Sequence, residues 1–163
     1  MTRRTTVLLA GGALVAGAAS ADSAKGGSMS LTEKQQALVA AARQVRDRAY
    51  APYSKFHVGA ALETEDGTVF KGCNVENISY GATICAERNA VLQAVAAGHT
   101  KFKAIAVIAD LPKPITPCGM CRQVLGEFGG ETEVICANLA GDSMVKTVGQ
   151  MLPDAFDFDP SKV

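Results

Sequence analysis

The sequence predicts an α/β layered domain built on a mixed sheet. Apolar residues recur at helical spacing in several stretches, and short β-rich runs alternate with those stretches, the order expected of helices packed on a sheet. Two of the β-rich runs flank Asp66-Gly67, a hairpin signal that makes one pair of strands antiparallel. A chain of 163 residues with 48% hydrophobic content is sufficient for one core. Trp is absent and aromatics are few, so that core must rest on Val, Leu, Ile and Ala.

The first 29 residues differ from the rest in composition. Arg3-Arg4 precede an Ala/Gly-rich apolar run over residues 7–19, and Ala19-Ser20-Ala21 resembles a small-residue cleavage site. That is the layout of a secretory signal, and the paired arginines suggest the twin-arginine route. The apolar run is too short to span a bilayer as a helix. The alternative is that residues 1–28 are untranslated and that synthesis starts at Met29. Either way the segment stays outside the fold, and the domain covers residues 30–163.

Ser30 and Glu33 form a capping-box pattern. Leu38, Ala41, Ala42, Val45 and Ala49 then predict a first helix over residues 31–49, ending near Pro52. The hairpin strands are expected over 58–63 and 68–74. A second helix follows over 84–97, stopped by Gly98; it is apolar on nearly every side from Ala90 onward and is expected to be buried. Residues 104–110 read as a buried strand. Thr116 as N-cap and Pro117 at the first helical position start a third helix, whose apolar stripe is Val124, Leu125 and Phe128 before Gly129-Gly130. Residues 134–138 are the next strand, and a short last helix runs from Lys146 or Thr147 to Met151.

Charge narrows the function. The formal net charge is zero, and starting at Met29 removes Arg3, Arg4, Lys25 and Asp22, leaving 13 basic and 15 acidic residues. No basic cluster remains, whereas polynucleotide binding normally shows a basic patch. The expected partner is a small molecule, not nucleic acid and not a membrane. The five cysteines are an odd number and include a Cys-x-x-Cys, which argues for metal rather than a disulfide framework. Cys73 and Cys136 sit in β-like runs and are expected as core.

Cys85, Cys118 and Cys121 remain. Thr83-x-Cys85 and Thr116-x-Cys118 repeat one device, a capping residue and then a thiol in the first turn of a helix. The positive end of the helix dipole stabilises a thiolate there. Three protein ligands on zinc leave a fourth position for water, the catalytic pattern; a structural zinc needs a fourth ligand, for which His57 and His99 are the candidates. Glu87 stands two residues from Cys85, close enough to carry that water's proton to a ring nitrogen and then to a leaving amine. This is the sequence mark of zinc-dependent nucleobase deaminases. Three thiolates exceed the charge of Zn2+ by one, an excess that Arg88 can offset by donating to the sulfurs; an ordinary solvated helix arginine is the other reading of that residue.

Phe56-His57-Val58-Gly59-Ala60-Ala61-Leu62, Asn74-Val75-Glu76-Asn77, Cys85-Ala86-Glu87-Arg88 and Leu152-Pro153 with Phe156 occur in one order over residues 30–156. In that order they resemble the small homotetrameric zinc-dependent cytidine deaminases. The resemblance implies a three-layer α/β/α fold, one Zn2+ per subunit, and hydrolysis of cytidine and deoxycytidine to the uridine forms with release of ammonia in pyrimidine salvage. It implies that Asn74 and Glu76 hold the ribose 3′-hydroxyl, that Phe56 packs on the pyrimidine, and that the Ala86 amide helps fix the base. Tyr80 and Phe156 match positions that complete a neighbouring subunit's site, the reason to expect a homotetramer. It also supports Arg88 in charge tuning. A deaminase of an aminopyrimidine antibiotic nucleoside is the near alternative, and a non-catalytic zinc module the distant one; a structural zinc has no use for an acid at Glu87. The cytoplasm is the expected location, with the periplasm as the alternative if the arginine pair is read.

Overall fold

A computed structural model describes residues 30–156. The expectations for the N-terminal segment lie outside the described residues. The elements are α1 (Glu33–Arg46), β1 (Val58–Thr64), β2 (Val69–Cys73), a short 3-10 turn (Tyr80–Ala82), α2 (Ala86–Ala96), β3 (Phe102–Ala109), α3 (Gly119–Gly126), β4 (Glu133–Asn138), β5 (Ser143–Thr147) and α4 (Val148–Met151). The strands form one sheet in the order β2-β1-β3-β4-β5. The β1–β2, β1–β3 and β4–β5 pairs are antiparallel, and β3–β4 is parallel. The mixed sheet expected from the hairpin is therefore present.

Alternation along the strands separates two cores. On one face Leu38 and Ala42 of α1 pack on Ala61, Ala104, Ala106, Ile108, Ile135 and Ala137. On the other, Val58, Ala60, Leu62, Ile105, Val107, Val134 and Cys136 meet α2, α3 and α4. Helices on both faces make the three-layer α/β/α arrangement. Two glycines set how closely helices approach the sheet. A Cβ on Gly59 would strike the Ala42 carbonyl oxygen and Arg46 of α1, and one on Gly72 would strike the Ala86 carbonyl and Ala90 amide of α2.

Four expectations need correction. The capping box of α1 is Thr32 with Gln35, two residues beyond Ser30 and Glu33. The helices α2 and α3 begin after Cys85 and Cys118, which are themselves the N-cap residues, so neither thiol lies in a first turn and Thr116-Pro117 precede the helix. The second helix is buried on one side only: Ala86, Glu87, Ala90, Val91 and Ala94 are covered, while Leu92 is 58% exposed and Val95 40%. Finally, Ser143–Thr147 is an edge strand on β4, an element the sequence reading omitted. Its residues are only half covered, so its apolar pattern is weak.

Candidate active site

Residues 74–76 leave the end of β2 and are pinned on both sides. Val75 exchanges backbone hydrogen bonds with Ile84 at 2.9 and 3.0 Å. Tyr50 donates to the Asn74 carbonyl at 3.0 Å, and Glu76 donates to the Tyr50 carbonyl at 2.8 Å. Because Ile84 immediately precedes Cys85, this small lattice places Asn74 and Glu76 beside the start of α2.

At that start Cys85 has φ −70° and ψ 156°, extended backbone that turns into the helix at Ala86. Glu87 is therefore the second residue of α2, and the rule that side chains two apart on a regular helix do not meet does not govern the pair. Cys118 caps α3 in the same extended conformation, and Cys121 lies in its first turn. The three sulfurs lie within 4.8 Å of one another, with Cys118 and Cys121 Sγ 3.5 Å apart. Tetrahedral zinc with Zn–S bonds of about 2.3 Å sets its sulfurs about 3.8 Å apart, so the donor set fits that ion. Among the described residues this is the one group of three or more such donors close enough to share a metal. His57 does not join it, and His99 instead lies 3.5 Å from Asp66. Among the described residues no fourth protein ligand completes the set, which leaves a position for water.

The thiols are electrostatically unequal. Cys85 is held down at about 5, chiefly by the Cys121 thiol that donates to it and further by the Arg88 guanidinium, against the opposing effect of burial. Cys121 is pushed up for the reciprocal reason, since its proton serves Cys85. A divalent cation displaces that shared proton, as metal binding to thiols does generally. Arg88 Nη2 donates to the Thr83 carbonyl at 2.8 Å and faces Cys85 Sγ at 3.7 Å, which puts its charge on the sulfur rather than in solvent. Glu87 is 5% exposed. Burial, with the nearby Cys85 charge, raises its carboxyl above the usual range, while the Cys121 thiol opposes the shift.

The other sequence-derived candidates divide into two groups. Asn74 is buried; its Oδ1 accepts from the Val58 amide at 2.8 Å and its Nδ2 donates to the Phe56 carbonyl at 2.8 Å. Phe56 is partly buried against the core. Glu76 accepts from the Tyr53 and Ser54 amides at 2.9 and 3.2 Å and from the Ser54 hydroxyl, contacts that lower its pKa, the hydroxyl most of all. Ala86, fully buried, is the first residue of α2, where a backbone N–H has no partner within the helix. Tyr80 and Phe156 are apart from these: they are 76% and 78% exposed.

Ser54 and Arg122 escaped the sequence reading. Ser54 carries no motif, and only the fold brings it to Glu76. Arg122 Nε donates to the Pro117 carbonyl at 2.8 Å, its Nη1 to the Met151 carbonyl at 3.0 Å and its Nη2 to Thr116 Oγ1 at 3.3 Å. Its place beside Cys121 was the one available signal. Cys136 is core as expected, whereas Cys73, at the end of the edge strand β2, is only partly buried, a correction to that expectation. Burial raises both thiols, Cys136 to about 12.

Comparison with known proteins agrees with this geometry. Residues 32–138 match the family model described as the cytidine and deoxycytidylate deaminase zinc-binding region. The cytidine deaminase of Sporosarcina psychrophila is 52% identical over 120 residues, spanning 73% of this chain and 88% of its own. That of Halalkalibacterium halodurans is 50% identical over 123 residues, spanning 75% and 93%. The crystal structure of cytidine deaminase from Burkholderia pseudomallei superposes with a TM-score of 0.74 at 53% identity, covering 77% of this chain and 100% of that one. With three thiols set for one zinc at two helix starts, a buried acid beside them and these relatives, the chain belongs to the zinc-binding cytidine and deoxycytidylate deaminase family.

Proposed function

We propose that the chain is a zinc-dependent hydrolase that converts cytidine and deoxycytidine, with water, to uridine and deoxyuridine plus ammonia. The observation that carries the reading is the buried Glu87 beside three convergent thiols with no fourth protein ligand among the described residues. Cys85, Cys118 and Cys121 would hold one zinc ion per subunit, which would supply an acidified water for attack at C4 of the pyrimidine. Glu87 accepts one proton of that water and delivers it to N3, and then carries the water's second proton to the departing amine. Its burial suits this role, because a carboxyl shifted upward holds and releases protons closer to neutral pH. Arg88 offsets the excess negative charge of three thiolates.

Substrate contacts follow the same lattice. Phe56 packs against the ring, the Ala86 amide faces the base, and Asn74 and Glu76 meet the ribose 3′-hydroxyl. The observed Ser54 and Tyr53 contacts orient the Glu76 carboxylate, and Asn74 fixes the backbone on either side of His57. Tyr80 and Phe156 complete the site of another copy in a homotetramer. Their exposure, together with that of Ile78 at 81% and Leu92 at 58%, supports burial against further copies.

Ultraviolet monitoring of purified protein with cytidine, deoxycytidine and cytosine tests the activity. Loss of absorbance with both nucleosides is expected, and none with either would overturn it. Sedimentation under native conditions tests the tetramer, for which a stable monomer is the contrary result. We place the protein in the cytoplasm, where nucleosides and a reducing environment for thiolates are both available. A mature N-terminus near Asp22 would overturn that placement.

A further inference from the structure

We propose that Arg122 is a positioning residue that braces the Cys118–Cys121 arm of the metal centre and fastens it to the C-terminal segment, so that metal retention depends on that segment. The inference rests on the metal reading above, though not on the identity of the substrate.

The guanidinium reaches three acceptors at once. Nε reaches back five residues to the Pro117 carbonyl at 2.8 Å, across the four residues that carry both thiols. Pro117 is among the fully buried side chains, and a carbonyl in such a place requires a donor. That peptide leads directly into Cys118, whose extended cap geometry aims the first sulfur of the arm. Nη2 reaches Thr116 Oγ1 at 3.3 Å on the same approach. The arm is thus closed into a ring by one side chain anchored next to Cys121.

The remaining nitrogen leaves the arm altogether. Nη1 donates to the carbonyl of Met151, the last residue of α4, 29 residues along the chain. The next residue repeats the connection: Gln123 Nε2 donates to the Phe156 carbonyl at 3.1 Å. Two consecutive side chains of α3 therefore hold the segment from Met151 to Phe156 by its backbone. Lysine cannot replace this fork, because an ammonium is a point donor on a flexible stem while the guanidinium presents planar, fixed N–H directions. Arg88 makes the same reach of five residues on α2, to the Thr83 carbonyl, but its other contact is a ligand sulfur. Arg122 contacts backbone carbonyls and one hydroxyl, so its effect is on geometry.

The test uses the zinc-loaded full chain with Arg122→Ala, Arg122→Lys and Gln123→Ala, and reads the rate of zinc transfer to a colorimetric chelator. Groups that orient metal ligands from behind are worth about 10–100-fold in metal affinity, so Arg122→Ala is expected to speed transfer by about tenfold or more. Millimolar guanidinium ion should slow it again by occupying the vacated position, and Arg122→Lys should remain fast. Gln123→Ala, which touches only the C-terminal segment, should speed transfer by about threefold, the order of one neutral hydrogen bond. Transfer within twofold of the unmodified chain in folded Arg122→Ala or Arg122→Lys would overturn the brace. An unchanged rate in Gln123→Ala would overturn the link to the C-terminal segment. An unmodified chain that retains zinc but leaves cytidine unchanged would sink the proposed function and leave the brace standing.

Discussion

The starts of α2 and α3 use the same parts for different ends. Each has a cysteine at the N-cap in extended conformation and an arginine donating to a carbonyl five residues back. On α2 there is one thiol, followed by a buried acid, and the arginine faces sulfur. On α3 there are two thiols and no acid, and the arginine faces backbone. Their anchors also differ. The sheet edge holds α2: Asn89 donates to the Cys73 carbonyl at 3.0 Å, Gln93 to the Lys71 carbonyl at 2.7 Å, and Gly72 admits the helix closely. The C-terminal segment holds α3. Under the proposed roles, proton transfer and charge tuning fall on the helix seated against the sheet edge, and most of the metal grip on the other.

The largest effect that separates the two starts is expected from Glu87→Gln, which keeps shape but cannot shuttle protons. The proposed role predicts that kcat falls by about 10²–10⁴ while zinc stays bound. On the α3 side Cys118→Ala should lose zinc and turnover together. Metal analysis beside steady-state kinetics checks both, and a loss below tenfold in Glu87→Gln would remove the division of roles.

Glu76→Ala probes the lattice that ties β2 to α2. Discrimination between cytidine and free cytosine in kcat/KM should fall by about tenfold or more, since only the nucleoside carries a sugar hydroxyl for the carboxylate to accept from. Equal losses on both substrates would mean that the carboxylate does not meet ribose.

The glycine seats sharpen the contrast between helices. Overfilling a close approach typically costs about 1–3 kcal/mol, and Gly72→Ala and Gly59→Ala should each lower stability by that order in denaturant titration. Only Gly72→Ala, which displaces the start of α2, should also lower zinc content. If Gly59→Ala lowered it equally, the seat of α2 would have no special bearing on the centre.

Arg88→Gln should give the smallest change. Its charge favours the deprotonated forms of the groups beside it, so its removal should move the acid limb of the kcat profile upward by about one pH unit. A neighbouring cation lost at this distance cannot move that limb downward, and a downward shift would assign Arg88 a different role.

Much of this was readable along the chain because it is local. Cys85, Glu87, Cys118 and Cys121 declare themselves through short spacings at two helix starts, and Asp66-Gly67 marks the hairpin. Helix caps are also local, yet Ser30 with Glu33 and Thr32 with Gln35 both satisfy short-range capping patterns. In the fold the second pair makes the cap, with Leu31 and Leu38 on either side of Thr32 packed against the core. The burial of α2 was overestimated because its apolar residues surround the axis, and only the sheet's position reveals that Leu92 and Val95 face outward. β5 depends on β4 for its hydrogen bonds and on little of its own pattern.

By itself the order of residues marked the candidate ligands and acid at two helix starts and the alternation of helices and strands, since each of those signals spans a few positions. Only the fold brings Cys85 to Cys118 and Cys121. Tertiary structure alone decided that Asn74 and Glu76 lie beside α2 through the Val75–Ile84 bridge, that Ser54 holds Glu76, and that Arg122 reaches Met151. Those contacts join segments between 9 and 29 residues apart, and no local periodicity encodes a partner at that range.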